Sequence, residues 1–266
     1  MTSSSHPVAN PQFPNAARLY DYVLGGTRNF EPDRLAAQQM AKLLPSMPKW
    51  IRMLRASLQQ FAVRLADEGF THFIDFGSGL PTEDHIHASA PNARVIYSDK
   101  DPDTVAQAHT LLAGNPKVLY LQSDVFDAKT MLASEAVQQF LGGERRVAFG
   151  ASGLAVFMSE EQLRTFCRDL YDWAAPGSKL FFTYETKDPA KTTPAWEQFV
   201  GAFHAMGEPF RLFSLEEYLA MTPPWTVDAH GAMPLAEFLG HPADYMTDAD
   251  REGLGLEFYA VILEKK

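Results

Sequence analysis

The chain has 266 residues, of which 46% are hydrophobic and 21% charged, and its formal net charge is −10. This composition is typical of a folded globular protein and argues against global disorder. The negative charge and the lack of lysine or arginine runs argue against a nucleic-acid partner, because such proteins need cations to replace phosphate counterions. A small molecule is the favoured partner.

The sequence also argues against a membrane partner and against secretion. No stretch approaches the ~18 uninterrupted apolar residues of a membrane span. The first residues, MTSSSHPVANPQF, lack the basic and apolar regions of a secretory signal. Cys167 is the only cysteine, which excludes an intrachain disulfide and fits a reducing compartment. We therefore expect a cytoplasmic protein, with an oligomeric state that the sequence does not indicate.

In chain order, three regions differ in their patterning. Residues 1–13 carry serine and proline and are predicted to be flexible. Residues 14–70 are predicted to form a helical cap, because apolar residues recur at steps of three and four. From residue 71 to residue 266, short apolar runs alternate with helical segments, and this region is predicted to be the ligand-binding domain.

The strands and helices of the third region predict an α/β fold. The predicted strands are 72–76, 94–98, 117–122, 145–151, 178–185, 225–230 and 256–264. The predicted helices are 82–90, 102–113, 129–140, 159–174 and 193–205, with capping boxes at Ser159/Gln162 and Ser214/Glu217. Strand–helix alternation indicates a parallel, doubly wound sheet. The last two strands have no helix-length crossover between them, so we expect them to run antiparallel.

The stretch FIDFGSGLPT, residues 73–82, leads a predicted strand into Gly77-Ser78-Gly79. Glycines let the backbone approach a ligand closely, and a helix N-terminus offers unpaired N–H groups. Asp99 follows Gly79 by 20 residues, at the end of the next strand, where an acid can accept both ribose hydroxyls. The spacing predicts a ribose-bearing cofactor, either a nicotinamide dinucleotide or S-adenosylmethionine.

Further residues favour S-adenosylmethionine over a dinucleotide. Thr82 occupies the third glycine position of the dinucleotide pattern, and Asp75 begins a D-x-G-x-G sequence. Asp124, at the end of a third strand, is suited to an adenine amino group. Pro81 replaces the last glycine of the longer D-x-G-x-G-x-G pattern. The alternative is that Gly77 and its neighbours form only a tight turn between strand and helix.

Two segments, PNAARLYDYVLGGTRNFEPDR (14–34) and FIDFGSGLPTEDHIH (73–87), resemble an S-adenosylmethionine-dependent methyltransferase family. This family is common in actinobacteria and was long catalogued as a domain of unknown function. The resemblance continues through 93–109 and 175–184 and extends to about residue 230. With the strand pattern, it implies a Rossmann-like class I methyltransferase sheet of seven strands, the last two antiparallel, with an N-terminal helical cap.

The resemblance also implies a set of cofactor-binding residues. Those expected at the methionyl and ribose side are Asp75, Gly77, Ser78 and Gly79, with Asp99 on the ribose hydroxyls and Lys100 beside it. Those expected around adenine are Asp124, Val125 and Phe126, and those expected near the methyl donor are Gly150, Ala151 and Ser152. The segment SGLAVFMSEE and the ending LEFYAVILEKK depart from the family pattern. No catalytic residue is identified.

The N-terminal signature is interpreted as a lid over the cofactor. Arg18 and Tyr20 are predicted to lie near the cofactor carboxylate, and Asn29 is predicted to cap the second helix. Asp33 is a second candidate for ordering the turn. The alternative is structural, with Arg34 and a nearby aspartate joining the helices to the core.

Several other side chains are weighed as candidates. His85 and His87 do not share a helical face, and no third ligand lies nearby in sequence, so no metal site is predicted. The aromatic residues of the next segment are interpreted as core rather than as a substrate cage: Trp196, Phe199, Phe203 and Phe210. Tyr184 and Glu185, at the fifth strand end, are candidates for the substrate side.

The predicted function is S-adenosylmethionine-dependent methyl transfer to an O, N or C atom of a small molecule. A general base is needed only where the acceptor carries a proton that must leave. Two alternatives remain at this point. One is an NAD(P)-dependent oxidoreductase, which Thr82 and the antiparallel ending disfavour. The other is a regulatory protein that binds S-adenosylmethionine without catalysis.

Overall fold

The chain folds around one β-sheet in a computed structural model that describes residues 12–82, 84–188 and 190–266. Its strands are β1 (His72–Phe76), β2 (Arg94–Asp99), β3 (Val118–Gln122), β4 (Ala148–Ala151), β5 (Lys179–Thr186), β6 (Thr226–Pro234) and β7 (Glu257–Glu264). Each matches a strand predicted from the sequence. The predicted flexible segment lies outside the described residues over positions 1–11.

The strands lie in the order β3-β2-β1-β4-β5-β7-β6. Strands β1 to β5 are parallel where they pair, whereas β7 runs antiparallel to both β5 and β6. The antiparallel ending predicted from the sequence is therefore confirmed. Because the carboxyl ends of β1 to β5 meet at one edge, the side chains that follow these strands converge there.

Helices surround the sheet. They are α1 (Ala16–Val23), α2 (Glu31–Leu43), α3 (Met47–Asp67), α4 (Ile86–Ser89), α5 (Pro102–Leu111), α6 (Ala128–Ala133), α7 (Glu135–Leu141), α8 (Glu160–Trp173), α9 (Pro194–Ala205), α10 (Leu215–Ala220) and α11 (Leu235–Phe238). Both predicted capping boxes are confirmed, at the starts of α8 and α10.

Two predicted helices differ from the structure, and local capping explains both. The helix predicted over 82–90 is limited to α4, because His85 is the N-cap and its Nδ1 accepts from the N–H of Ile86. The helix predicted over 129–140 is divided into α6 and α7. Ser134 separates them, and its hydroxyl accepts from the N–H of Val137 at 3.4 Å. A serine at an N-cap favours ending one helix and starting the next.

The two faces of the sheet bury separate cores. On β5, Phe181 joins the core beneath α3 and α9, whereas Phe182 joins the core beneath α6 to α8. This alternation is the period of two that a strand imposes on its side chains. Phe61 of α3 stacks on Phe181 with ring centroids 4.7 Å apart. The N-terminal helices therefore pack on the same face of the sheet as α9.

Candidate active site

A cavity of about 880 Å³ opens at the edge where the parallel strands end. Residues that follow β1, β2, β3 and β4, together with Glu185 near the end of β5, line it. Side chains from α1, α3 and α9 form its other walls. The volume lies within the range of about 300–1,000 Å³ that small-molecule sites occupy.

The loop after β1 is shaped by its glycines. Gly77 and Gly79 have φ angles of +59° and +62°, in the left-handed region that favours glycine. A Cβ atom at Gly77 would also lie 2.7 Å from Cδ1 of Leu154. The hydroxyl of Tyr120 donates to the carbonyl of Gly79 at 2.6 Å. The backbone is thus held in a form that other residues would disturb.

Asp99 is fixed at the end of β2 by backbone donors. The N–H of Gly79 donates to its Oδ2 at 3.0 Å, and the N–H of Asp101 donates to its Oδ1 at 2.9 Å. Burial raises the pKa of Asp99, and these two hydrogen bonds oppose the rise. Each carboxylate oxygen retains a second lone pair. The donor and acceptor set fits a pair of ribose hydroxyls.

The residues expected around adenine follow β3 and also line the cavity. Asp124 accepts from the N–H of Phe126 at 3.0 Å. The ring of Phe126 is 45% exposed, although it borders the cavity, so it offers an open face for stacking. Lys100 pairs with Glu208 at 2.8 Å, and both residues line the cavity.

Asp75 lies at the base of the cavity and is almost fully buried. Burial raises the pKa of Asp75 to about 7, with Ser78 and Arg55 opposing the rise. A Cβ atom at Gly150 would collide with the Asp75 carboxylate and with the ring of Phe181. Gly150 therefore makes room for this acid rather than lining the cavity itself.

All the residues predicted to bind the cofactor line the cavity except Arg18, Gly150 and Ala151. Ala151 is fully buried in the core on the opposite face of the sheet. Arg18 is buried as well, and its Nε donates to Oδ2 of Asp33 at 2.8 Å. Its Nη2 donates to the carbonyl of Phe13 at 2.7 Å. Arg18 therefore joins α1 to α2 through Asp33, whereas the structural interpretation had named Arg34 as the arginine that joins the helices to the core.

The prediction that Asn29 caps α2 is wrong. The N-cap is Phe30, and its N–H donates to Oδ2 of Asp33 at 2.8 Å. Asn29 instead donates to Oδ2 of Asp21 at 2.8 Å and to the carbonyl of Gly26 at 2.9 Å. Asp33 is the third residue of α2, and a carboxylate at this position can reach back and accept from the N–H of the N-cap residue, Phe30.

Arg55 of α3 is a cavity residue that sequence reasoning missed. Its Nη1 is buried without a hydrogen-bond partner in the described part of the chain, and Asp84 Oδ1 lies 3.6 Å away. Its charge lowers the pKa of His85 and opposes the raised pKa of Asp75. In the sequence, Arg55 follows the buried Leu54 on an amphipathic helix, and no local signal distinguishes it from a surface arginine.

Glu185 is buried to 4% exposure and belongs to a chain of hydroxyl contacts. Thr183 Oγ1 accepts from the N–H of Gly153 at 2.7 Å and donates to Glu185 Oε1 at 3.3 Å. Ser152 Oγ lies 3.4 Å from the same Thr183 oxygen. The ends of β4 and β5 are thereby linked. Tyr184 instead packs against Tyr218 on the other face, away from the cavity.

Four aromatic residues form one side of the cavity, which we call the aromatic wall: Trp196, Phe199, Phe203 and Phe210. The first three lie on one face of α9 and are buried. Phe203 and Phe210 have ring centroids 4.7 Å apart. The sequence interpretation treated core and cage as alternatives, but these rings both pack together and border the cavity.

The histidines near the loop are engaged in the protein. Because His85 Nδ1 accepts from the N–H of Ile86, its Nε2 carries the proton and donates to the carbonyl of Ser78 at 3.1 Å. Burial lowers the pKa of His85 well below its usual value. Across residues 12–82, 84–188 and 190–266, no group of three or more histidine, cysteine or acidic side chains is arranged to hold a metal. Nor does any helix in these ranges combine the length and apolar character of a membrane span.

A model of the family described as S-adenosyl methyltransferase matches residues 4–226. The chain belongs to the S-adenosyl methyltransferase family. It is therefore an S-adenosylmethionine-dependent methyltransferase, as the sequence favoured over an oxidoreductase or a non-catalytic binder. The predicted family and cofactor are both confirmed. No match to the chain is found among curated proteins.

Solved structures agree with this family and with the fold. A protein from Thermobifida fusca YX, described as a "putative methyltransferase", is 28% identical with a TM-score of 0.83, and 96% of each chain is covered. A DUF574 family protein from Streptomyces avermitilis MA-4680 is 25% identical with a TM-score of 0.81, covering 96% of this chain and 99% of that one. Geranyl diphosphate C-methyltransferase from Streptomyces coelicolor A3(2) shares the fold at 11% identity and a TM-score of 0.50, covering 73% and 71%.

The residues of this methyltransferase fit its cofactor. A side chain at Gly77 would be strained and would press on Leu154, Asp99 keeps acceptor capacity for hydroxyls, and the buried guanidinium of Arg55 faces the same cavity. S-adenosylmethionine supplies an electrophilic methyl group on a positively charged sulfur. The protein has to hold that group beside an acceptor and exclude water.

Proposed function

We propose that this methyltransferase transfers the methyl group to an O, N or C atom of a small molecule. The observation that carries the proposal is a single cavity that extends from the glycine loop to the aromatic wall. A mostly apolar cavity with a few polar groups is typical of small-molecule sites. The net charge of −10 also opposes binding to a nucleic acid.

For the cofactor, we assign roles by position along the cavity. The methionyl and ribose side is held by the loop residues Asp75, Gly77, Ser78 and Gly79. Asp99 accepts the hydrogen bonds of the ribose hydroxyls, with Lys100 beside them. Adenine is contacted by Asp124, Val125 and Phe126, and Ser152 borders the methyl group. The placement of these residues at successive strand ends supports the assignment.

We assign the cofactor carboxylate to Arg55 rather than to Arg18. The Arg18 guanidinium is buried against Asp33, whereas Arg55 lines the cavity. A guanidinium is well suited to a carboxylate because its fork of N–H donors matches both oxygens. Tyr20 borders the cavity beside it, and Arg55 opposes the rise that burial causes in the pKa of Tyr20.

We further propose that the helices of residues 14–70 act as a cap over residues 71–266. Asn15, the N-cap of α1, donates from its side chain to the carboxylate of Asp101, and from its N–H to Asp33 at 2.8 Å. This contact holds α1 over the end of β2, two residues from Asp99. The single buried Cys167 supports action in the cytoplasm.

Calorimetric titration with S-adenosylhomocysteine, run beside NADH, tests the cofactor assignment. We expect micromolar binding of S-adenosylhomocysteine alone. Asp99→Ala is expected to weaken it by about 10- to 100-fold, because hydrogen bonds to a charged group contribute about 1.5–3 kcal/mol. Asp67→Ala, at an exposed acid near the end of α3, is the matched control. Heat with NADH but none with S-adenosylhomocysteine would overturn the proposal.

A further inference from the structure

The aromatic wall and Glu185 lie on the same face of the sheet. On β5, Glu185 shares its face with Phe181, which packs beneath α3 and α9. Its partner in the neighbouring strand is Phe258, which also lines the cavity and stacks on Trp50 with ring centroids 3.9 Å apart. Glu185 is therefore a polar group set in an apolar part of the cavity.

One oxygen of Glu185 is left for a ligand. Oε1 accepts from the hydroxyl of Thr183, whereas Oε2 is buried and finds no hydrogen-bond partner among the described residues. An unpaired buried acceptor costs about 1–3 kcal/mol, so native proteins rarely retain one without a use. Because Glu185 lines the cavity, a bound molecule can reach this oxygen.

The contacts of Thr183 place this acid beside the methyl-donor end of the cavity. Thr183 binds the N–H of Gly153 and lies 3.4 Å from the hydroxyl of Ser152, the residue assigned to border the methyl group. An acceptor that contacts both Glu185 and the aromatic wall would thus have its polar group turned towards the methyl. The reacting atoms require this orientation.

We propose that Glu185 is the general base of the reaction and that the acceptor has an apolar, ring-sized body with one O–H or N–H group. The aromatic wall would hold the body, and Oε2 of Glu185 would accept the proton. This inference rests on the proposed function, and it adds both a catalytic residue and an acceptor class.

The step balances in atoms and charge. Glu185 starts as a carboxylate and takes the proton as the acceptor oxygen or nitrogen bonds to the methyl carbon. The bond from methyl to sulfur breaks, and its electron pair stays on sulfur. The positive charge of the sulfonium and the negative charge of the Glu185 carboxylate are neutralised together. The apolar cavity, where an unpaired charge would be costly, is therefore left without one.

The electrostatic surroundings agree with this role. Burial raises the pKa of Glu185 to about 8, with hydrogen bonding from its own backbone N–H and from the Thr183 hydroxyl opposing the rise. A base with a pKa near the working pH combines proton affinity with availability. The titratable groups that interact with it are Tyr20 from α1, and Tyr184 and Tyr218 on the other side. Arg55 from α3 lines the same cavity.

Two matched probes test the acceptor class: 2-naphthol, which carries an O–H, and 2-methoxynaphthalene, which has the same rings without it. Each is titrated into the protein saturated with S-adenosylhomocysteine. At pH 9, where Glu185 is ionised, we expect wild type to prefer 2-naphthol by about 10-fold, the effect of one buried hydrogen bond to a charged group. The preference should grow between pH 7 and 9 as Glu185 ionises around its pKa of about 8.

The variant Glu185→Gln keeps the shape of the side chain and removes its charge. We expect its preference for 2-naphthol to fall below about threefold and to lose its pH dependence, with affinity for S-adenosylhomocysteine within about twofold of wild type. Phe199→Ala should weaken both probes equally, because it removes only contact with the rings. Glu237→Gln, at an exposed acid of α11, is the control for removing a carboxylate.

The outcomes separate this inference from the function on which it rests. If wild type does not prefer 2-naphthol over 2-methoxynaphthalene, or if Glu185→Gln keeps that preference, the assignment of Glu185 as general base is overturned. Failure of both probes to bind would overturn the acceptor class. If S-adenosylhomocysteine itself does not bind, the proposed function is overturned instead, because it depends on this cofactor. The wild-type comparison is decisive even where the variant does not fold.

Discussion

The cofactor half and the acceptor half of the cavity differ in how their buried carboxylates are satisfied. Asp99 has backbone donors on both oxygens, from Gly79 and Asp101. Glu185 has one side-chain donor, the hydroxyl of Thr183 on Oε1, and its second oxygen has no partner within the described ranges. The cofactor half is shaped in advance by the backbone, whereas the acceptor half is completed by what binds there.

The largest expected effect concerns the stability of the acceptor half. The folded protein keeps the Glu185 proton up to a pKa of about 8, while the unfolded chain releases it at its ordinary value near 4.5. The free energy of unfolding of wild type therefore falls as pH rises through this window, relative to Glu185→Gln. The difference should reach roughly 5 kcal/mol above pH 8, at about 1.36 kcal/mol per pKa unit.

Denaturant unfolding of both proteins from pH 4 to 9, without ligand, measures this difference. Glu237→Gln, at an exposed acid of α11, is measured beside them as the control for removing a carboxylate. A flat difference for Glu185→Gln would mean that Glu185 ionises normally, and the contrast between the two halves would disappear.

The next effect concerns the shape of the cofactor half. Gly77→Ala places a side chain at a φ of +59° and against Leu154, so either the loop or this cavity-lining leucine must shift. We expect affinity for S-adenosylhomocysteine to fall by about 100-fold, since such strain costs about 1–3 kcal/mol. Gly240→Ala is the matched control, with a φ of +75° and no described atom within 4 Å of the added Cβ.

Calorimetry with S-adenosylhomocysteine distinguishes the two variants. Gly240→Ala should lose some stability and keep its affinity, because its glycine lies outside the cavity. Equal losses of affinity in both variants would show that positive φ alone, rather than the shape of the loop, controls cofactor binding.

The smallest expected effect concerns Arg55, the buried cation that we assign to the cofactor carboxylate. Arg55→Met should weaken S-adenosylhomocysteine by about 10-fold and leave 5′-methylthioadenosine unchanged, because the second ligand lacks the carboxylate. Titration of both ligands measures the ratio. If the affinities for both ligands fall equally, Arg55 acts through the packing of α3 and does not bind the cofactor carboxylate.

Much of the fold was predictable because it depends on local patterns. Apolar runs predicted every strand, and Ser159 and Ser214 predicted the starts of α8 and α10. Helix boundaries failed where short side chains compete for backbone groups, as Ser134 does between α6 and α7. The glycine loop and the acid at Asp99 were also visible, since each follows a strand at a fixed spacing.

The sequence alone thus determined the sheet, its antiparallel ending and the strand-end residues that meet at one edge. Only the tertiary structure decided which buried charges face the cavity. Arg18 and Arg55 look alike on amphipathic helices, but Asp33 lies opposite the first and Asp75 near the second. Nor does the sequence reveal that one oxygen of Glu185 lacks a partner. Hydrogen-bond satisfaction depends on atoms that packing brings together from distant parts of the chain.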